Sequence, residues 1–191
     1  VALADAEFIQ PHLKSRLIND KEYGFRHALV RDAAYGLLMP GDLTTGHRLA
    51  GEFLIEAGEY DDAMIAEHFE RSGDQRRAAT YYSRAASDGL ARGNYAGALR
   101  QVERGLACQP HGEVLGQLSS VESYVLLVLD RYERMGEVTG VALQELKAGS
   151  LGWCRAIFPA FFIAINHQDA ARIGELVSLL LSTEPDPEAR A

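Results

Sequence analysis

Ala79-Thr80-Tyr81-Tyr82-Ser83-Arg84-Ala85-Ala86-Ser87-Asp88-Gly89 passes through Gly93-Asn94-Tyr95 into Ala98-Leu99-Arg100-Gln101-Val102-Glu103-Arg104-Gly105, and the run stops at Pro110-His111-Gly112. Tyr82, Ala85, Ala86 and Gly89 recur at helical spacing, and Tyr95, Leu99, Val102 and Leu106 form a second stripe of the same period. Gly93-Asn94 is a turn signal between them, and the Pro110 ring ends the second segment. The stretch therefore predicts two helices joined by a tight turn.

Similar breakers divide the rest of the chain: Pro40-Gly41, Gly58, Gly73-Asp74, Gly136, Gly149, His167 to Asp169, and Pro185. The segments between them have the length of ordinary helices, roughly 12 to 24 residues. Val114, Leu118, Val121, Val125, Val128, Tyr132 and Met135 predict one long helix face. Leu151, Cys154, Phe158, Phe161 and Ile165 predict another, followed by Ile173, Leu176, Val177 and Leu180. Pro159 is expected to kink or interrupt its helix. The N-terminal part reads differently. Ile18 to Phe25 predicts a short β-hairpin, with a polar turn at Asn19-Asp20 and alternating Tyr23 and Phe25. A helix is predicted from about Arg26 to Leu38, with Leu29, Ala33 and Leu37 on one face. Helix, hairpin and helix resemble the tail of a winged-helix module. The expected organisation is a winged-helix remnant over 1–39 and a helical array over 40–191. The Val at position 1 suits a piece of a longer chain.

Composition bounds the function. The 191 residues carry a net charge of −8, which makes the chain a poor binder of phosphate backbones, so no nucleic-acid partner is expected. The longest apolar run, Ala156 to Ile165, is about half a membrane-spanning length, so no membrane partner is expected either. Cys108 and Cys154 stand far apart with no Cys-x-x-Cys, which indicates neither zinc nor a disulfide framework. A reducing, cytoplasmic setting is the default expectation. No Gly-Lys dipeptide, glycine-rich kinase loop or His-Arg-Asp loop occurs, so no catalytic residue, cofactor site or metal site is expected in this stretch. Neither Glu-x-x-His nor His-x-x-x-His occurs, and Asp61-Asp62 reads as a helix N-terminus.

The stretch Ala79 to Gly112 resembles the tetratricopeptide repeat of about 34 residues. In that family small residues stand where two helices cross, a place Ala86, Ala98 and Gly105 would take, and Tyr95 would fill the space after the turn. The resemblance implies an all-α fold: antiparallel helix hairpins stacked into a right-handed superhelix, here preceded by the short β-hairpin. A second resemblance is carried by Phe25-Arg26-His27-Ala28-Leu29-Val30-Arg31-Asp32-Ala33-Ala34-Tyr35, by Gly46 to Glu52, and by Ala66-Glu67-His68-Phe69-Glu70. These strings are similar to the junction at which a STAND-type signalling ATPase passes into its tetratricopeptide sensor arm. The wording is most similar to arms of bacterial multidomain serine/threonine protein kinases. What this implies is a non-catalytic signalling region, with ATP and Mg belonging to an upstream core. The same kind of arm serves nucleotide cyclases and DNA-binding transcriptional regulators, and a small α-helical enzyme built around His47, His68 and nearby carboxylates is a further alternative.

Several residues are candidates on these grounds. By resemblance His27 is a nucleotide-sensing contact to the ATPase core; read from its position alone, it caps or packs at the hairpin–helix corner. Arg26, Arg31 and Asp32 are either contacts to that core or ion pairs on a solvated face. Thr80, Ser83 and Ser87 align opposite the packed stripe of their helix, and the resemblance places that face on a concave groove that binds a protein or peptide. Arg77 and Arg84 lie nearby and suit an acidic segment, although residues 61–110 balance seven Arg with seven acids and also suit a salt-bridged surface. Trp153, Phe158, Phe161 and Phe162 are either core or a dimer face on the C-terminal helices.

Overall fold

A computed structural model describes residues 2–13, 15, 21–59 and 61–189. The chain is mostly helical, with ten α-helices and one two-stranded sheet among the described residues. It divides into two compact units, Val1–Asp74 and Gln75–Ala191.

The first unit contains α1 (Ala2–Asp5), β1 (Ile9–Pro11), β2 (Tyr23–Phe25), α2 (Ala28–Gly36), α3 (Pro40–Glu56) and α4 (Asp62–Arg71). β2 lies where the alternation placed it, but its antiparallel partner is β1, in the register Ile9↔Phe25 and Pro11↔Tyr23. The expected turn and first arm at residues 18–20 lie outside the described residues. Helix α2 is shorter than expected, and its predicted apolar face is not covered. Leu29 is 83% exposed, Leu37 is also exposed, and no residue of α2 is buried. The helix is amphipathic, but its Leu29 and Leu37 side chains are left uncovered among the described residues. Pro40 opens α3 from the first turn, where its missing N–H costs nothing. Asp61 caps α4 by accepting from the Ala63 and Met64 N–H groups, as the carboxylate pair suggested.

The second unit runs α5 (Gln75–Ala91), α6 (Tyr95–Ala107), α7 (Glu113–Val128), α8 (Met135–Glu145), α9 (Leu151–Asn166) and α10 (Ala170–Ser182), and ends in a 3-10 turn, Pro187–Ala189. Each helix packs on the next in the chain, and α7 also packs on α5 and on α9. The expected turns at Gly93, Gly112 and Gly149 are made by glycines at φ +72°, +58° and +86°, a region that other residues enter at a cost. Asn94 caps α6 by accepting from the Gly97 N–H at 3.0 Å. Ala86, Ala98, Val102, Leu118, Val121 and Val125 form one core cluster, with Tyr95 packed against it. The small residues bring helices close. A Cβ on Gly89 would lie 3.3 Å from the Ala98 nitrogen, and one on Gly105 would lie 2.9 Å from the Leu118 methyls.

Two expectations fail here. The long stripe Val114 to Met135 spans two helices: α7 ends at Val128, Asp130 takes φ +55°, and α8 begins at Met135. Gly136 consequently sits in the first turn of α8 instead of breaking a helix. The buried face of α9 is Trp153, Ala156, Ile157, Ala160 and Ala164. Leu151, Phe158 and Ile165 are exposed instead, Phe158 by 64%. This helix is apolar nearly all round, so periodicity had no polar face to orient it. Pro159 is buried inside α9, which runs on past it, so of the two expected effects interruption does not occur. No described helix is long and apolar enough to cross a membrane.

Candidate functional site

Three helices of the first unit bring a tyrosine and two histidines into one hydrogen-bonded chain. Gly51, one turn after His47 on α3, allows the close approach of α4. A Cβ there would come within 3.1 Å of the Phe69 ring and 3.4 Å of the His68 Cβ. His47 Nδ1 then lies 3.0 Å from His68 Nδ1, and the Tyr35 hydroxyl lies 2.5 Å from His47 Nε2. The rings of His47 and His68 are tilted at 47° with centroids 5.2 Å apart. His47 is only 9% exposed, and His68 is half-buried.

The geometry restricts the protons. Between two facing Nδ1 atoms one must donate and the other accept, so the two imidazoles take complementary tautomers. With both rings neutral, the chain runs Tyr35 O–H to His47 Nε2 and His47 Nδ1–H to His68 Nδ1, or entirely in reverse. One added proton still leaves a donor facing an acceptor. A second would set N–H against N–H, so the pair titrates as a unit. Burial lowers the pKa of His47 below the ordinary histidine value, and the Arg71 charge adds to this. His68 is lowered by burial, then by His47 and Arg71, while Glu67 opposes the change. Beside the chain a cleft of about 400 Å³ is lined by Arg31, Asp32, Tyr35 and Arg71.

The other predicted residues scatter. His27 is exposed at the N-cap of α2, and its side chain makes no capping hydrogen bond. Arg26 pairs with Glu7 at 3.0 Å, and Arg31 pairs with its neighbour Asp32 at 2.7 Å. On α5, Arg84 is exposed with its guanidinium carbon 4.9 Å from the Tyr81 ring centroid. Arg77, Thr80 and Ser87 are half-buried, and Thr80 donates to the Arg76 carbonyl at 3.0 Å. Ser83 corrects the expected open face: it is 7% exposed, because the buried side of α5 is wide enough to include it beside Tyr82 and Ala86. Thr80 also lines a cleft of about 900 Å³ with Gln75, Arg76 and the Cys108 to Val114 turn. Cys108 and Cys154 are free thiols. Among the described residues no group of three or more His, Cys, Asp or Glu side chains is placed to hold a metal ion.

Sequence reading missed Tyr35 and Arg71 at the histidine pair, and it missed a buried polar layer in the second unit. There Ser123 and Thr139 share a hydrogen bond of 2.6 Å, and buried Glu122 pairs with Arg134 at 3.2 Å. Burial raises the Glu122 pKa, while Arg134 opposes the rise. Serines within the α7 stripe were the available signal, since they interrupt an otherwise apolar face. Comparison of the chain with protein-family models, curated proteins and solved structures returned no match.

Proposed function

We propose that this chain is a non-catalytic, protein-docking sensor region built as a tetratricopeptide-like array of helix hairpins in a right-handed superhelix. The observation that carries the reading is the packing order of the second unit. Each helix meets the next, and α7 meets α5 and α9, which suits stacked hairpins better than a closed bundle. The close approach at Gly89 and Ala98 and at Gly105 supports the α5–α6 pair as the best-formed repeat. The docking residues are Arg77, Thr80, Arg84 and Ser87, with Ser83 supporting them from the buried side. The cleft beside Thr80 offers room for a peptide.

On the strength of the family resemblance, the region belongs to a bacterial signalling serine/threonine kinase with an ATPase switch. Binding on the array would alter how the winged-helix remnant packs on the ATPase core, with exposed His27 facing that core. Kinase, ATP and Mg chemistry would reside upstream, and the setting would be cytoplasmic. The combined substitution Arg77→Glu and Arg84→Glu tests the docking face. Capture of the partner is expected to fall at least tenfold with the thermal midpoint nearly unchanged; undiminished capture would remove these residues from the interface.

A further inference from the structure

We infer that the cleft lined by Arg31, Asp32, Tyr35 and Arg71 is a binding site for a phosphate-type oxyanion, and that its occupancy is coupled to protonation of the His47–His68 pair. The cationic side is supplied by two guanidiniums from different helices, α2 and α4. Arg31 is already engaged by Asp32, whereas no carboxylate pairs with Arg71 among the described residues. Two guanidiniums against one carboxylate leave the lining of the cleft net positive. Guanidinium forks suit tetrahedral oxyanions.

Tyr35 connects this charge to the imidazoles. While its hydroxyl donates to His47 Nε2, only its oxygen lone pairs are left for the cleft, and they repel an anion. When His47 carries its proton on Nε2 it donates to the tyrosine oxygen, and the tyrosine O–H is released to donate to a bound oxyanion. The ligand thus favours the form in which His47 donates to Tyr35. The neutral pair reaches this form in the reversed chain, and a proton taken from solvent reaches it with His47 Nδ1–H still donating to His68 Nδ1, which adds a single positive charge beside the anion. The surrounding charges decide the balance. Arg71 on α4 opposes that proton and Glu67 favours it, while Arg48 on α3 is occupied by Glu52. A dianion seated against Arg71 would offset the guanidinium's repulsion. Phosphate binding and proton uptake then assist each other.

The inference is independent of the docking reading, since it rests on the first unit alone. The test uses the whole chain and follows the imidazole C2–H resonances of His47 and His68 against pH. Sodium phosphate is compared with sodium chloride at equal ionic strength, and O-phosphoserine replaces phosphate in a parallel titration. The expected result is a midpoint for the pair that moves up by about one pH unit in phosphate, equivalent to about tenfold tighter binding to the protonated pair. Arg71→Gln should abolish the movement, while Arg26→Gln, which lies outside the cleft, should retain it. A shift with either phosphate compound supports the site, and the larger one tells free phosphate from a phosphoryl group on a larger molecule. Midpoints equal to that in chloride with both phosphate compounds would overturn the proposal, as would an undiminished shift in Arg71→Gln. If Arg71→Gln loses its cooperative thermal transition, Arg31→Gln is read by the same two criteria.

Discussion

Tyr35, His47 and His68 lie on three different helices, and the histidines are 21 positions apart, yet one unbroken hydrogen-bonded chain links them. Their lowered pKa values give a signed expectation. An unfolded chain binds protons at these positions near pH 6.5, before the folded pair does, so the unfolded state gains protons first as pH falls. Stability from this pair is therefore complete above about pH 6.5 and is lost progressively below it, toward the depressed folded values. Urea unfolding at a series of pH values should show this decline, and His47→Gln with His68→Gln should flatten it. A variant with the same slope as the parent would contradict the assignment. The histidines were visible in the sequence as the centre of the enzymatic alternative. Their partnership was not, because one-dimensional spacing says nothing about which faces of α2, α3 and α4 meet.

At the scale of elements, turn chemistry was the most legible feature. Gly58, Gly73, Gly93, Gly112 and Gly149 all adopt positive φ, and Asp61, Asn94 and Asp169 all cap the helices that follow. Replacing Asn94 with Ala removes the acceptor for the Gly97 N–H and should cost about 1 kcal/mol in chemical denaturation. Gly105→Val tests the close helix approach. Its added carbons would meet Leu118 and Tyr82, and the expected loss is about 1–3 kcal/mol. An unaffected midpoint would mean that the α6–α7 contact relaxes freely. The reading failed where local signals were missing. The break after α7 falls at Asp130, with no Gly or Pro in the turn, and the fully apolar α9 gave no cue to its buried side. Pro159 stays within α9 because burial on that helix holds the chain helical across a locally weakened hydrogen-bond ladder.

At the scale of the molecule, the second unit holds its own core clusters. The fragment 75–191 is accordingly expected to unfold in one cooperative transition. A gradual loss of helix signal on heating would show that it depends on the rest of the chain. Predominant helicity and its division into segments followed from period and punctuation. Stacking order did not, because consecutive hairpins can stack or close into a bundle with the same apolar stripes. From α5 through α9 each helix contacts the next, and the docking proposal rests on that order. The most direct test isolates the protein from its source cells with an antibody to residues 75–191, and records intact mass and all peptides that accompany it. The account predicts a parent several-fold heavier than 20.9 kDa with kinase and P-loop peptides, together with a partner that is lost from the Arg77→Glu, Arg84→Glu variant. A free chain of about that mass, with no partner sensitive to those substitutions, would contradict it.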